Sequence, residues 1–162
     1  DLLALAHVGG AAIERTDVDL SAMAAEIIAD LRRLSPERQA TVDIAPGLSC
    51  RADCGLLRSV MENLLGNAWK YSSRVAQARI VVGANTVDGG PTFFVRDNGA
   101  GFEPADASRL FRPFERLHKA SEFAGTGVGL AVVQRIIERH GGQIQADGEP
   151  GKGATFTFDV GG

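Results

Sequence analysis

The chain has 162 residues, of which 44% are hydrophobic and 23% are charged, and its formal net charge is -3 at pH 7. This length suits one domain with a sizeable core, and the composition is that of an ordinary globular protein, which excludes a disordered or collagen-like chain. The small negative charge gives no general attraction to nucleic acid or to an anionic membrane, so any anion must be bound by a local arrangement of residues.

The cysteine content and the absence of leader patterns limit the class of protein further. Cys50 and Cys54 are spaced C-x3-C without the second cysteine or histidine pair that a zinc site requires, so we expect reduced structural thiols. No apolar run of about 18 residues and no signal peptide pattern is present. We expect a cytoplasmic fragment, starting without methionine, whose parent protein is either soluble or membrane-anchored.

The first half of the chain predicts helices that alternate with short strands. In chain order we expect a helix over 1–15, a strand over 16–20, a helix that Ser21 caps and that ends before Pro36, a strand pair over 41–44 and 48–51 around Pro46-Gly47, and a helix that Asp53 caps and that ends near Ser72.

The second half predicts two hairpins on either side of an irregular segment and a helix. We expect strands at 79–82 and 92–95 joined through Asp88-Gly89-Gly90, an irregular segment over 104–125 with at most a short helix, a helix that opens in 125–130 and stops at Gly141-Gly142, and strands at 143–146 and 154–158. Long irregular segments inside compact domains are uncommon and tend to be functional lids.

The helix before Ser72 carries an unusual polar stripe. Asn63, Asn67, Lys70 and Tyr71 are spaced so that they point the same way, beside an apolar stripe that suits a core-facing helix. Asparagine is a mediocre helix former, so two of them four residues apart call for an explanation. One explanation is a pair of satisfied core amides, and the other is a polar site that borders the core.

Three further segments have features of a ligand site, although each also has a plain structural explanation. Asp97 ends a strand and is followed by Gly99 and Gly101, which let the backbone pass close to a flat ligand but also fit a common turn. Residues 125–129 offer unhindered backbone N–H groups at a helix start, where a phosphate binds well. This segment fits neither a Rossmann nor a Walker A pattern.

The irregular segment between the two glycine-rich segments contains several cations and two phenylalanines. A basic loop is usually a solvated surface, but this one adjoins the glycine-rich helix start, which suits contact with a polyphosphate. Phe111 and Phe114 are interpreted as apolar pegs for the loop. The cations are Arg109, Arg112, Arg116, His118 and Lys119.

Taken together and in this order, the four segments resemble the ATP-binding domain of sensor histidine kinases, in the superfamily that includes DNA gyrase, Hsp90 and MutL. The matching motifs are Glu62 to Tyr71 (the N box), Asp97 to Gly101 (the first glycine box), Leu110 to Phe114 (the F box) and Gly125 to Leu130 (the second glycine box). The sequences of residues 116–125 and 134–142 resemble those of the phytochrome-like and PAS-linked branch.

The resemblance implies a role for each matching residue. Asn67 would coordinate Mg²⁺ with support from Asn63, and an amide oxygen suits this hard cation. Asp97 would accept a hydrogen bond from the adenine amino group, and Thr155 would assist through water. The full implied ATP-binding set is Asn63, Asn67, Lys70, Tyr71, Asp97, Gly99, Gly101, Phe102, Arg116, Leu117, His118, Thr126, Gly127, Val128, Gly129, Leu130 and Thr155, with Asn67 and Lys70 also catalytic.

The resemblance also implies the fold, the domain boundaries and the partners. The fold would be an α+β two-layer sandwich of the Bergerat type, with a mixed, mostly antiparallel sheet covered on one face by about three helices and with a long ATP lid. Residues 1–16 would be the end of a dimerisation and phosphoacceptor helix with its linker, and residues 17–162 the catalytic domain. The partners would be that dimerisation domain and a response regulator; the parent would be a bacterial homodimer and this fragment monomeric or weakly associating.

Three functions remain open from the sequence: a kinase that phosphorylates a histidine elsewhere, a nucleotide-sensing binding module, and a stand-alone ATPase. In ATPases of this superfamily a glutamate four residues before the metal-binding asparagine activates water, and here that position is Asn63. Glu62 lies about 140° round the helix from Asn67. Phosphoacceptor histidines are normally followed by an acidic residue, and none of His7, His118 and His140 is.

Overall fold

A computed structural model describes residues 12–87, 89–112 and 129–161. Within these ranges the elements are β1 (Thr16–Asp19), α1 (Leu20–Leu34), β2 (Ala40–Ile44), β3 (Ser49–Ala52), α2 (Cys54–Tyr71), β4 (Ala78–Val87), β5 (Gly90–Asp97), a 3₁₀ helix (Pro104–Phe111), α3 (Gly129–Arg139), β6 (Ile144–Glu149) and β7 (Gly153–Phe158). The predicted α+β architecture is confirmed.

Five strands form the main sheet, in the order β2-β4-β5-β7-β6. The β2–β4 pair is parallel, and the other three pairs are antiparallel, so the sheet is mixed and mostly antiparallel as predicted. β1 and β3 form a separate antiparallel pair. Both predicted hairpins, β4–β5 and β6–β7, are present.

One face of the main sheet is buried, because side chains alternate between the two faces of a strand. Along β5, Phe93, Val95 and Asp97 are buried, whereas Arg96 between them is exposed. The buried face packs in one core with the apolar faces of the three α helices. The buried residues that the main sheet contributes to this core are Ile80, Val82, Phe93, Val95, Phe156 and Phe158.

The apolar stripe of α2 is buried in that core as predicted, and Trp69 joins it. Asp53 caps this helix as expected, since its side chain accepts a hydrogen bond from the N–H of Leu56. The predicted cap of α1 is wrong: Asp19 caps α1 by accepting from the N–H of Ala22 at 2.9 Å, and Ser21 lies inside the helix.

The Ser21 hydroxyl has a different role, which explains a second error. It donates to the carbonyl of Ala45 at 2.6 Å and accepts from the N–H of Leu48 at 2.9 Å, so the turn between β2 and β3 is held against the start of α1. The two strands therefore diverge: β2 pairs with β4 and β3 pairs with β1. The predicted pairing of β2 with β3 is wrong.

The predicted helix over 1–15 is absent where the structure describes it. Residues 12–15 have no helical structure, because the main-chain N–H of Glu14 and the side chain of Arg15 bond to the body of the domain. Residues 1–11 lie outside the described residues. In the described ranges, no helix combines the length and apolar character needed to cross a bilayer.

Candidate functional site

The polar stripe of α2 lies at the border of the core. Asn63, Asn67, Lys70 and Tyr71 are all half-buried. The ammonium of Lys70 lies 4.9 Å from the centre of the Tyr71 ring, a cation–π distance. Asn63 and Tyr71 are two turns apart, which is about 12 Å along the helix. The stripe is therefore long enough to contact two ends of one elongated ligand.

Asn63 brings the start of α3 to one end of this stripe. Its side-chain N–H donates to the carbonyl of Ser59 at 2.8 Å, which fixes the amide orientation. A Cβ atom added to Gly129 would lie 2.5 Å from Oδ1 of Asn63, so only glycine fits here without displacing the amide. The first described turn of α3 thus lies beside Asn63.

Asp97 lies near the other end of the stripe and is 7% exposed. Burial raises the pKa of its carboxyl from 3.8 to about 6, and hydrogen bonds from the N–H groups of Gly99 and Ala154 oppose that rise. The Gly99 bond is 2.8 Å long. A buried carboxylate held by backbone donors is a preorganised acceptor for a neutral N–H donor of a ligand.

The segment after Asp97 is bound tightly to the end of α2. The N–H of Ala100 donates to the carbonyl of Tyr71 at 2.9 Å. A Cβ atom on Gly99 would lie 2.2 Å from that carbonyl oxygen and 2.9 Å from Oδ1 of Asp97. Glycine is required at 99 by the contact between the protein's own elements, whereas the sequence prediction assigned it to close approach of a ligand.

The β6–β7 turn holds the same segment from the other side. The N–H of Gly151 donates to the carbonyl of Ala100 at 2.8 Å. Gly101 has a φ of +68°, and a Cβ atom on it would lie 2.0 Å from the carbonyl oxygen of Glu149. Phe102 is buried with its ring against Gly148, where an added Cβ would lie 2.6 Å from the ring. Phe102 is thus held against β6, two strands from the one that carries Asp97.

Thr155 is not brought to this group. It pairs with Arg96 across β5 and β7, and its hydroxyl accepts from Nε of Arg96 at 3.2 Å on the face opposite Asp97. The residue that pairs with Asp97 is Ala154, which has no hydroxyl. The implied role of Thr155 in adenine binding therefore has no geometric support, because the strand register places it on the outer face.

Glu62 also points away from the polar stripe. Its carboxylate lies 3.9 Å from Nε of Arg58, which is itself paired with Glu26 of α1. The same carboxylate lines a shallow groove along α1, together with Ile27, Asp30, Leu31, Arg33 and Leu34. The described structure therefore keeps Glu62 on the α1 side of the helix, away from the side that carries Asn67.

Of the other residues predicted for the site and the lid, some lie within the described ranges and the rest lie outside them. Leu130, in the first turn of α3, packs against the core. Phe111 is the buried peg that was predicted, and its ring meets Phe156 edge-on at 6.3 Å. Arg112 is exposed at the limit of the second described range. The predictions for Phe114, Arg116, Leu117, His118, Lys119, Thr126, Gly127 and Val128, and with them the lid, lie outside the described residues.

Sequence reasoning missed the residues that hold Asp97 in place. The Asn98 side chain accepts from the N–H of Arg79 at 2.8 Å and donates to the carbonyl of Gln77 at 2.9 Å, which closes the end of β5 onto β4. A Cβ atom on Gly153 would lie 2.0 Å from the carbonyl of Asp97. The strand pattern around 97 and 154 could have indicated that Ala154 faces Asp97, but the backbone contacts of Gly153 have no local signal.

Comparison with known proteins gives this arrangement a family. Residues 52–161 match the family described as histidine kinase-, DNA gyrase B-, and HSP90-like ATPase. The chain belongs to this family. The match begins at the end of β3 and includes every described residue of the polar stripe, the Asp97 segment and α3.

The relatives with assigned names place the chain in the histidine kinase branch of the family. It is 32% identical over 160 residues to the phytochrome-like protein Cph1 of Synechocystis, covering 99% of this chain and 21% of Cph1. It is 35% identical over 168 residues to the phosphate regulon sensor protein PhoR of Pseudomonas aeruginosa, covering 97% of this chain and 36% of PhoR. This member of the family is thus an ATP-binding catalytic domain of the sensor histidine kinase type, which spans only a fraction of those relatives.

Solved structures of histidine kinases share the fold. Full-length ShkA in complex with AMPPNP superposes with a TM-score of 0.79 at 31% identity, covering 97% of this chain and 33% of ShkA. The catalytic domain of ThkA superposes with a TM-score of 0.74 at 21% identity, covering 91% of this chain and 95% of that domain. The latter similarity concerns the fold alone.

Proposed function

We propose that this family member binds Mg-ATP between α2, the Asp97 segment and the start of α3, and donates the γ-phosphate to a histidine on a dimerisation domain. The observation that carries the proposal is that Asp97 and the first turn of α3 lie at opposite ends of one half-buried polar stripe. ATP has its base and its terminal phosphate at opposite ends, so it suits such a site.

Asp97 binds the adenine end in this proposal. Its carboxylate accepts a hydrogen bond from the exocyclic amino group of adenine, whereas guanine presents a carbonyl oxygen at that position and would face the carboxylate with another acceptor. The buried position makes discrimination strong, because an unpaired buried acceptor costs about 1–3 kcal/mol. The N–H groups of Gly99 and Ala154 hold the carboxylate in place, and Gly101 and Phe102 belong to the segment that follows it.

Asn67 is proposed to hold Mg²⁺ at the middle of the stripe. Its amide is half-buried, and none of the residues that the structure describes forms a hydrogen bond with it, so its oxygen can accept a metal bond. The described residues contain no cluster of three His, Cys, Asp or Glu side chains suited to a metal. One amide ligand fits Mg²⁺, which commonly binds through one or two protein oxygens and the substrate phosphates. When bound, Mg²⁺ would neutralise charge on those phosphates.

Lys70 and the start of α3 are proposed to bind the phosphates. Lys70 is a point charge that lies between Asn67 and Tyr71 on the stripe, and N–H groups at the start of a helix such as α3 favour an anion. Asn63 sets where that turn begins. The chain's own contribution to transfer is to hold the γ-phosphate in line for attack by an imidazole nitrogen and to neutralise its charge.

Water is a poor acceptor at this site, which favours a kinase over a stand-alone ATPase. The side chain at 63 is an amide and has no basic group, and the Glu62 carboxylate is held on the α1 side by Arg58. If the Glu62 carboxylate did activate water, Glu62→Ala would reduce phosphate release; we expect that release to be slow and unchanged. The nucleotide-sensing module remains the second candidate, but it has no need of Lys70.

The domain division and the partners belong to this proposal too. Residues 1–16 are assigned to the end of a dimerisation helix and its linker, and 17–162 to the catalytic domain. The acceptor histidine lies in the dimerisation domain, which passes the phosphoryl group to the receiver domain of a response regulator. The relative PhoR is named a sensor protein and the relative SasA a sensory kinase, which supports a role in signalling.

The test supplies the missing acceptor. The chain is incubated with γ-labelled ATP, Mg²⁺ and a dimerisation domain in which a histidine is followed by an acidic residue. We expect acid-labile, base-stable label on that domain, and less of it with Asn67→Ala. Nucleotide binding without any label would instead support the sensing module.

A further inference from the structure

We propose that Glu14 and Arg15 form a latch that fixes the segment before β1 against the start of the nucleotide-binding helix α2. This inference rests on the proposed function, because its consequence is the direction in which residues 1–11 leave the catalytic domain. The latch consists of contacts that Glu14 and Arg15 make with Arg51, Asp53, His140 and Val160.

The guanidinium of Arg15 binds three main-chain carbonyl oxygens from three parts of the fold. Nη1 donates to Arg51 at 2.8 Å and to Val160 at 3.0 Å, and Nη2 donates to His140 at 2.5 Å. His140 directly follows the last residue of α3, where helix carbonyls lack partners and the helix dipole favours a cation. A guanidinium suits this site because its fixed fork of donors reaches several acceptors at once.

The main chain of Glu14 extends these contacts to α2. Its N–H donates to Oδ2 of Asp53 at 3.2 Å, while Oδ1 of the same carboxylate caps α2 by accepting from Leu56 at 3.1 Å. One carboxylate therefore joins the segment before β1 to the end of the helix that carries Asn63 and Asn67. Movement of residue 14 away from the domain would remove one of the two hydrogen bonds that the described residues make to the Asp53 carboxylate.

His140 completes the arrangement from α3. The N–H of Asp53 donates to Nε2 of His140 at 3.1 Å, so the proton of the neutral ring is on Nδ1, which contacts the carbonyl of Ile136 at 2.8 Å. The ring is 3% exposed. The His140 side chain thus accepts a hydrogen bond from the residue that caps α2, and its carbonyl accepts one from Arg15. His140 therefore links both to the end of α3.

The arrangement has a functional consequence that differs from nucleotide binding. None of the latch residues belongs to the polar stripe or to the Asp97 segment, so ATP affinity does not depend on the latch. The orientation between the domain and a histidine placed ahead of residue 12 does depend on it. Small errors in orientation cost large factors in rate.

Two variants and one control test the latch in the full chain. Arg15→Gln removes the donors to the three carbonyls, and Glu14→Pro removes the N–H that binds Asp53 while it leaves Arg15 in place. Asp17→Asn is the control, because it breaks the neighbouring exposed ion pair with Arg51 at 3.1 Å and no latch contact. Hydrogen exchange is measured at the Asp53 amide in every protein and at the Glu14 amide in every protein except Glu14→Pro, which has no N–H at that position. Mg-ATP affinity is measured on the same proteins.

We expect both latch variants to speed exchange at the Asp53 amide about tenfold, and Arg15→Gln to do the same at the Glu14 amide. Both should change ATP affinity less than about twofold, with Asp17→Asn like the wild type. A histidine-bearing dimerisation domain is next fused ahead of residue 1. In this fused chain, both latch variants should reduce phosphoryl transfer to the histidine at least about tenfold. When the same dimerisation domain is supplied as a separate chain, neither variant should reduce transfer. Two results would overturn the latch: unchanged hydrogen exchange in the variants, or an equal loss of phosphoryl transfer with the fused and with the separate dimerisation domain. If nucleotide binds but no variant or wild type transfers phosphate, the proposed function fails and the exchange result still decides the latch.

Discussion

A Cβ atom at Gly129 would lie 2.5 Å from Oδ1 of Asn63, whose amide is fixed by its bond to the Ser59 carbonyl. Through this contact the N box, which contains Asn63, packs directly against the second glycine box, which contains Gly129. Glycine at 129 allows α3 to begin against α2, and the asparagine at 63 sets the distance between the two helices.

The Asn63–Gly129 contact predicts a rescue between two substitutions. Gly129→Ala should lower the free energy of unfolding by about 1–3 kcal/mol through overpacking. In the Asn63→Ala background the same change should cost less than about 1 kcal/mol, because the opposing oxygen is gone and alanine favours a helix. Urea unfolding of the four proteins of the cycle measures this coupling. Additive effects would show that the two residues do not press on each other.

Asp97→Asn should stabilise the domain while it removes part of the site. Because burial raises the folded-state pKa of this carboxyl to about 6, ionisation disfavours the folded state, and the wild type loses stability as the pH rises from about 4 to 6. An uncharged amide avoids this cost. After allowance for one weakened hydrogen bond, we expect Asp97→Asn to be more stable by about 1–2 kcal/mol at pH 8.

The pH dependence provides the control for that prediction. The stability difference between Asp97→Asn and the wild type should grow across pH 4 to 6 and then stay constant, and chemical unfolding at four or five pH values measures it. A difference that is independent of pH would mean that the Asp97 carboxyl has the same pKa in the folded and unfolded chain.

Gly99→Ala should damage both fold and site, since its Cβ would lie 2.2 Å from the Tyr71 carbonyl oxygen, a backbone atom that cannot rotate away. We expect a loss of about 3 kcal/mol or more in unfolding free energy and no measurable ATP affinity. Gly66→Ala is the matched control on α2, where nothing lies within 4 Å of the added atom. It should stabilise the helix by about 0.5–1 kcal/mol. Equal effects of the two substitutions would refute the contact.

Thr155→Ala should change ATP affinity by less than about twofold. The hydroxyl of Thr155 binds Arg96 on the outer face of the sheet, and its loss affects an exposed hydrogen bond of modest energy. Calorimetric titration with ATP checks this, and Arg96→Ala serves as the partner control. A large loss of affinity for Thr155→Ala alone would restore the adenine-binding role that the family resemblance implies.

The sequence predicted the elements well where local patterns decide them. The apolar stripe of α2, the cap at Asp53 and the two hairpins each follow from residues within one element. The prediction from sequence was wrong where contacts between residues distant in sequence decide the role of a residue or the pairing of a strand. Ser21 bonds to Ala45 and Leu48 instead of capping α1, and this contact separates β2 from β3.

The positions of the candidate site residues in the fold follow local patterns in the same way and with the same limit. Asn63, Asn67 and Tyr71 share a stripe because helical spacing dictates it, and Asp97 ends a strand. The exclusion of Thr155 depends on the register between β5 and β7, which local pattern does not fix. The contacts of Gly153 with Asp97 and of Arg15 with three carbonyls depend on the tertiary fold in the same way.

The most direct test of the central claim is calorimetric titration of the chain with ATP and with GTP, in the presence and absence of Mg²⁺. For the wild type we predict Mg²⁺-dependent binding of ATP and at least about tenfold weaker binding of GTP, because Asp97 accepts the adenine amino group. For the stably folded Asp97→Asn variant we predict that ATP binding is lost. Equal affinity for the two nucleotides, or unchanged ATP affinity in Asp97→Asn, would contradict the assignment of the site.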